Sequence, residues 1–262
     1  MALRAYLDAS EPFPDVSRAP CVAVAGFVAD VEAWARCQEQ WGTVLAEADI
    51  SVFHMAEEKD SPVLGSLVEL IITMAEDGLG FAAVIRKADY AALDEATKRS
   101  VGRPFALAAK VCLGVVARWL ADHRIHEDVA YVCEFGDPGL PGFQKVITEI
   151  ADASEAFKTQ MRIHSVTVEA KGKSPMLQTA DVLAWEITRH LPKRLGLDPA
   201  PIRPSLERIL DAVPIEVEFF DAEALQRVSA RHSPEMYQRV ANQFGVRLKP
   251  QRQRGRRPRQ NT

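Results

Sequence analysis

The chain has 262 residues, 47% of them hydrophobic and 26% charged, with a formal net charge of −4. That apolar share can bury one large core, or a core and a half. Four cysteines without CxxC spacing (Cys21, Cys37, Cys112, Cys133) argue for reduced, buried thiols and against a zinc site.

Taken in order, the start MALRAYLDASEP lacks the charged-then-apolar pattern of a signal peptide. ALRAYLD (2–8) and CVAVAGFV (21–28) read as neighbouring strands joined by a proline-bearing loop. The uncharged run APCVAVAGFVA (19–29) is too short to cross a bilayer, so a soluble, cytoplasmic protein with no membrane partner is expected. Asp30 opens an amphipathic helix over 31–48, and ISVFHM (50–55) reads as a short strand. A helix over 66–78 ends at Gly78, a strand covers 79–87, a long helix 107–124 and a buried strand VAYVCEF (129–135). GDPGLPG (136–142) is a turn cluster that lacks the Gly-Lys-Ser/Thr ending of a phosphate loop. A helix over 143–157, a strand RIHSVTVEA (162–170) and the helix KSPMLQTADVLAWEITRHL (173–191) follow, the last with Ser174 as cap and Pro175 at its first position.

Strands that come both as neighbours and separated by helices predict an α/β fold with a mixed sheet flanked by helices. LDPAPIRP (197–204) is a connector to a mainly helical extension, 193–246, in which IEVEFF (215–220) alternates like a strand and Ser233-Pro234 caps a further helix. The tail 247–262 holds seven Lys and Arg residues and no acid, so residues 1–246 carry −11. Its Pro, Gly and Gln content predicts disorder. Arg252, Arg254, Arg256 and Arg257 are candidate phosphate contacts for a nucleic-acid partner, with a merely solubilising tail as the other reading.

The acids carry the chemistry. Asp8 closes the first strand, Glu134 the strand 129–135 with Asp137 just beyond, and Asp181 projects from the helix that follows the strand 162–170. Singly, each reads as an ion pair or a solvated strand-end carboxylate. Together, acids at strand ends and on an abutting helix can converge, and such clusters hold Mg²⁺ or Mn²⁺ for phosphodiester hydrolysis. Gln178, one turn before Asp181, is placed to hydrogen-bond that carboxylate or a metal-bound water. His54 is a candidate for orienting phosphate or moving a proton, or a structural histidine beside Phe53. Lys171 and Lys173 flank the N-terminus of the Asp181 helix, where they either hold a phosphate or are simply solvated. His123 and His126 read as solvated surface.

YLDAS (6–10), FHM (53–55), YVCEFGD (131–137) and above all PMLQTADVLAWE (175–186) resemble the DUF3800 family over residues 1–192. The resemblance implies a ribonuclease H-like fold in which acids on the first strand, a later strand and a following helix bind divalent metal, here Asp8, Glu134 and Asp181. Nuclease activity then follows by fold analogy. The chain departs from the family's Asp-Glu-Ser at Asp8-Ala9-Ser10, with Glu11 displaced by two positions. Two functions are therefore carried forward: a metal-dependent nuclease acting on DNA or RNA, and a catalytically silent ribonuclease H-like module that binds nucleic acid or a partner protein.

Overall fold

In the computed structural model, which describes residues 2–10, 20–134, 159, 161–194, 196 and 201–231, six strands form one mixed sheet in the order β5-β4-β1-β2-β3-β6. The strands are β1 (Leu3–Ser10), β2 (Cys21–Asp30), β3 (Leu79–Arg86), β4 (Val129–Glu134), β5 (Ile163–Glu169) and β6 (Ile215–Phe220). β2 runs antiparallel to both β1 and β3, while β1–β4, β4–β5 and β3–β6 are parallel pairs. The parallel pairings require crossovers rather than tight turns.

The helices are α1 (Val31–Glu47), α2 (Met55–Glu58), α3 (Leu64–Met74), α4 (Lys87–Ala92), α5 (Glu95–Val101), α6 (Pro104–Asp122), α7 (Leu177–Arg194), α8 (Pro204–Ala212) and α9 (Ala222–Arg231). The alternation of the strands sorts them onto two faces. Leu3, Ala5 and Leu7 of β1, with Leu79, Phe81, Ala83 and Ile85 of β3, form one core with α6. Tyr6, Ala25, Phe27 and Val132 form the other, covered by α1, α3, α7 and α8. Helix α6 is long and apolar enough to cross a membrane by length and composition, but it lies mostly buried against β2 and β3 as a core helix.

The first helix shows how local chemistry sets the frame. Asp30 accepts a hydrogen bond from the Glu32 amide at 2.8 Å, and Trp34, Cys37, Trp41 and Leu45 give one buried stripe. Asp49 then turns left-handed at φ 58°, and the Ile50 amide bonds back to the Leu45 carbonyl at 2.9 Å. The expected strand 50–55 does not form. Its amides at Phe53 and Met55 are taken by side chains of α7, and Met55 instead opens the short α2. Helix α7 starts at Leu177 rather than Pro175, because residues 174–176 make a tighter turn in which the Leu177 amide bonds the Ser174 carbonyl.

Residues 215–220 are a strand, as the alternation predicts, and that strand completes the main sheet by pairing Gly80↔Ile215 through Ile85↔Phe220. The helices expected over 143–157 and after Ser233 lie outside the described residues, as do the turn 136–142 and the tail. The four cysteines are buried and in no disulfide, and burial pushes the thiols of Cys21 and Cys37 up to about 11 and about 12.

One position constrains the centre of the sheet. Gly26 faces Leu7 in the β1–β2 ladder, and a Cβ there would lie 1.9 Å from the Tyr6 carbonyl oxygen. Backbone at the sheet centre cannot yield cheaply, so Gly26→Ala is expected to destabilise the fold by about 1–3 kcal/mol. Urea denaturation of the variant against wild type measures this as a lowered midpoint.

Candidate functional site

The parallel ladder between β1 and β4 pairs Leu7 with Cys133, so one step further along both strands stand Asp8 and Glu134. Both share the sheet face of Tyr6 and Val132, the face on which α7 packs. Helix α7 crosses β1 and β2 and presents Asp181 to the same point. It is fastened there by its Thr188 hydroxyl, which hydrogen-bonds that of Ser10 at the end of β1. The three predicted acids therefore converge.

They converge on a cation from the chain itself. The Lys171 Nζ lies 2.8 Å from Asp8 Oδ2, 2.9 Å from Glu134 Oε2 and 3.4 Å from Asp181 Oδ2. Lys171 leaves β5 through a turn in which the Lys173 and Ser174 amides both bond the Ala170 carbonyl, and the turn sends its side chain into the cluster. The Lys171 side chain is 9% exposed and that of Asp8 1%. The sequence reading of Lys171 as a solvated or phosphate-holding residue is thereby corrected: it is buried among carboxylates. Lys173 is exposed.

Burial pushes the Asp8 carboxyl well above the usual carboxylate range; Lys171 opposes the rise, and Asp181 and Glu134 add to it. For Lys171, burial alone would lower the pKa, but Asp8, Asp181 and Glu134 outweigh it and hold the ammonium above its ordinary value. Asp8 Oδ1 accepts from the Ala9 amide at 2.7 Å, while Oδ2 meets the ammonium at ion-pair distance without hydrogen-bond alignment.

Asp181 Oδ2 also accepts the Met55 amide at 2.9 Å. Gln178 does not serve the acids, contrary to expectation. Its Oε1 accepts from Trp41 Nε1 at 2.9 Å and from the Phe53 amide at 3.0 Å, deep in the core. Gln178 and Asp181 thus hold the 53–55 segment by alternate amides. His54 lies between those two anchored residues, half-buried, with its carbonyl accepting the Glu57 and Glu58 amides; its ring takes no part in the ion-pair cluster. Glu11, Asp137, Arg252, Arg254, Arg256 and Arg257 lie outside the described residues.

Two features escaped the sequence reading. The β4–β5 ladder pairs Glu134 with Glu169, adding a fourth acid beside the cluster. On α7, fully buried Glu186 meets Ser205 Oγ and, at 3.3 Å, Arg203 Nε, while Arg189 and Arg203 lie over the Trp185 ring at 4.6 and 5.6 Å. A Glu in an apolar helix was the available signal; its partners come from α8 and the residue before it, remote in sequence.

The donor set is hard oxygen, the kind that Mg²⁺ and Mn²⁺ prefer, and the cation at its centre is the Lys171 ammonium. The spacing is that of the ammonium: 2.8–3.4 Å against the ~2.0–2.1 Å of a Mg²⁺–oxygen bond. Among the described residues no group of three or more His, Cys, Asp or Glu is drawn together tightly enough to hold a metal ion. The residues fit a divalent cation in chemistry, provided that Lys171 leaves the centre and the carboxylates close in.

No protein-family model matches the chain, and no curated protein matches it either.

The elevated Asp8 pKa has a measurable consequence. The folded chain binds this proton more tightly than the unfolded chain, so the stability it contributes is full below pH ~4 and is lost as pH rises through the elevated pKa. Asp8→Asn lacks that component and leaves Lys171 two carboxylates. Without divalent metal, the variant should therefore gain on wild type as pH rises from ~4 to neutrality. Urea melts across that range test it; a constant difference would show that Asp8 is ionised without cost.

Proposed function

We propose that the protein is a divalent-metal-dependent nuclease that hydrolyses phosphodiester bonds of DNA or RNA, on a ribonuclease H-like fold of the DUF3800 kind. The observation that carries this reading is the meeting of Asp8 from the first strand, Glu134 from the parallel strand beside it and Asp181 from a following helix around one cationic nitrogen. That is the placement the resemblance implies, reached by residues up to 173 positions apart in sequence. Asp8, Glu134 and Asp181 would hold Mg²⁺ or Mn²⁺. Bound there, the ion would supply Lewis-acid polarisation of the phosphoryl oxygen and an activated water. His54, on the segment anchored to Asp181, would serve in proton transfer. The basic residues of 247–262 and exposed Lys173 would neutralise substrate phosphates in a cytoplasmic setting.

A second reading is favoured by one specific observation. Lys171 fills the centre of the acids, and Ala9 stands where the resemblance expects a further carboxylate. A module closed by its own lysine would bind nucleic acid or a partner protein without cleaving.

Calorimetric titration with Mn²⁺ separates the two. The nuclease reading expects saturable binding to wild type, at least tenfold weaker binding to Asp181→Asn, and a parallel loss of Mn²⁺-dependent cleavage of single- and double-stranded DNA and RNA. Asn can still accept the Met55 amide, so the variant should fold. Wild-type protein that neither binds Mn²⁺ nor cleaves would leave the silent module.

A further inference from the structure

We infer that Lys171 is the resident cation of the carboxylate cluster and that its ammonium and a divalent ion occupy those carboxylates in turn, never together. The inference rests on the metal-dependent reading above and adds to it how access to the site is controlled.

Three acids meet one base in a largely buried place, so the cluster favours a cation at its centre, and Lys171 supplies it here. The ammonium touches all three carboxylates at once, so no second cation can share them without the nitrogen moving. Lysine suits exchange better than arginine would. Its charge is a compact point at the end of a four-carbon stem, able to leave by rotation of side-chain torsions while the backbone stays in place. The backbone turn here is independently held by the Ala170 carbonyl, and exposed Gly172 and Lys173 put its outer side in solvent. The Asp8 oxygen that meets the ammonium lies 2.8 Å from it, at ion-pair distance. The other Asp8 oxygen and Asp181 are fixed by the Ala9 and Met55 amides. Asp8 and Asp181 thus stay aimed at the centre when Lys171 departs, and the carboxylates need only close in on the smaller ion.

Exchange predicts opposite responses in affinity and in lysine reactivity. Mn²⁺ affinity is measured by calorimetry for wild type and Lys171→Gln, which is neutral and can still hydrogen-bond. The variant should bind at least tenfold more tightly. In parallel, wild-type protein is acetylated with a small acylating reagent, with and without saturating Mn²⁺, and the Lys171 and Lys173 peptides are quantified by mass spectrometry. Lys171 should be protected without metal and become several-fold more reactive with it, while exposed Lys173 stays constant as the reference.

Equal or weaker binding by folded Lys171→Gln overturns the inference and leaves the metal-dependent reading standing. So does Mn²⁺ binding to wild type with Lys171 still protected, the arm that decides if the variant does not fold. Absence of Mn²⁺ binding by both proteins overturns the metal-dependent reading and the inference with it. Binding by Lys171→Gln alone supports exchange with the balance far toward the ammonium.

Discussion

The ion pairs from Lys171 to Asp8, Glu134 and Asp181 are what the rest of the site depends on. They join a central strand, its parallel neighbour, the turn after the next strand and the helix laid across them. Removing the ammonium would leave three carboxylates close together, Asp8 fully buried among them, and a buried unpaired charge is among the most costly things a fold can carry. The cluster is therefore a closure between elements brought together from four places in the chain.

What lets the cluster exist is the exact seating of α7 on the sheet. Gln178 and Asp181, one turn apart on its inner face, each take an amide from the 53–55 segment. Trp41 of α1 donates to the same Gln178 oxygen, Thr188 reaches Ser10 on β1, and Glu186 reaches Ser205 of α8. Polar groups in an apolar helix specify one register among many that hydrophobic packing would tolerate, because every alternative leaves a buried donor unpaired. Helix α7 is polar where it must be registered and apolar elsewhere.

Much of this was legible in the sequence. Strands and helices with strong periodicity, such as 21–28, 79–87 and 107–124, formed close to their expected bounds, and the acids at 8, 134 and 181 meet as their strand-end and helix positions suggested. The misreadings share one cause, competition for backbone amides and charges by partners far along the chain. ISVFHM has the composition of a strand, but its amides are claimed by Gln178 and Asp181, 125 and 126 positions away. Lys171 sits in a glycine-bearing loop, which argues for solvent, yet a turn held by Ala170 aims it inward. Gln178 was recognised as polar for a reason, and the reason proved to be the core rather than the acids. Periodicity reports which face is buried; it carries no information on which remote donor awaits there.

Stability alone gives no reason to keep this cluster. Well-packed apolar side chains of similar volume commonly hold such a position as well as or better than a buried ionic network. Even with Lys171 in place the acids exceed the base, and the raised Asp8 pKa shows that the folded chain resists ionising all of them. This cost falls at one end of the parallel β1–β4 pair, beside a turn with solvent on its outer side. A purely structural salt bridge would have needed one carboxylate for its lysine. Three, with a fourth in register on β5, provide more negative charge than Lys171 can use, and that surplus is what a second, more highly charged cation would meet.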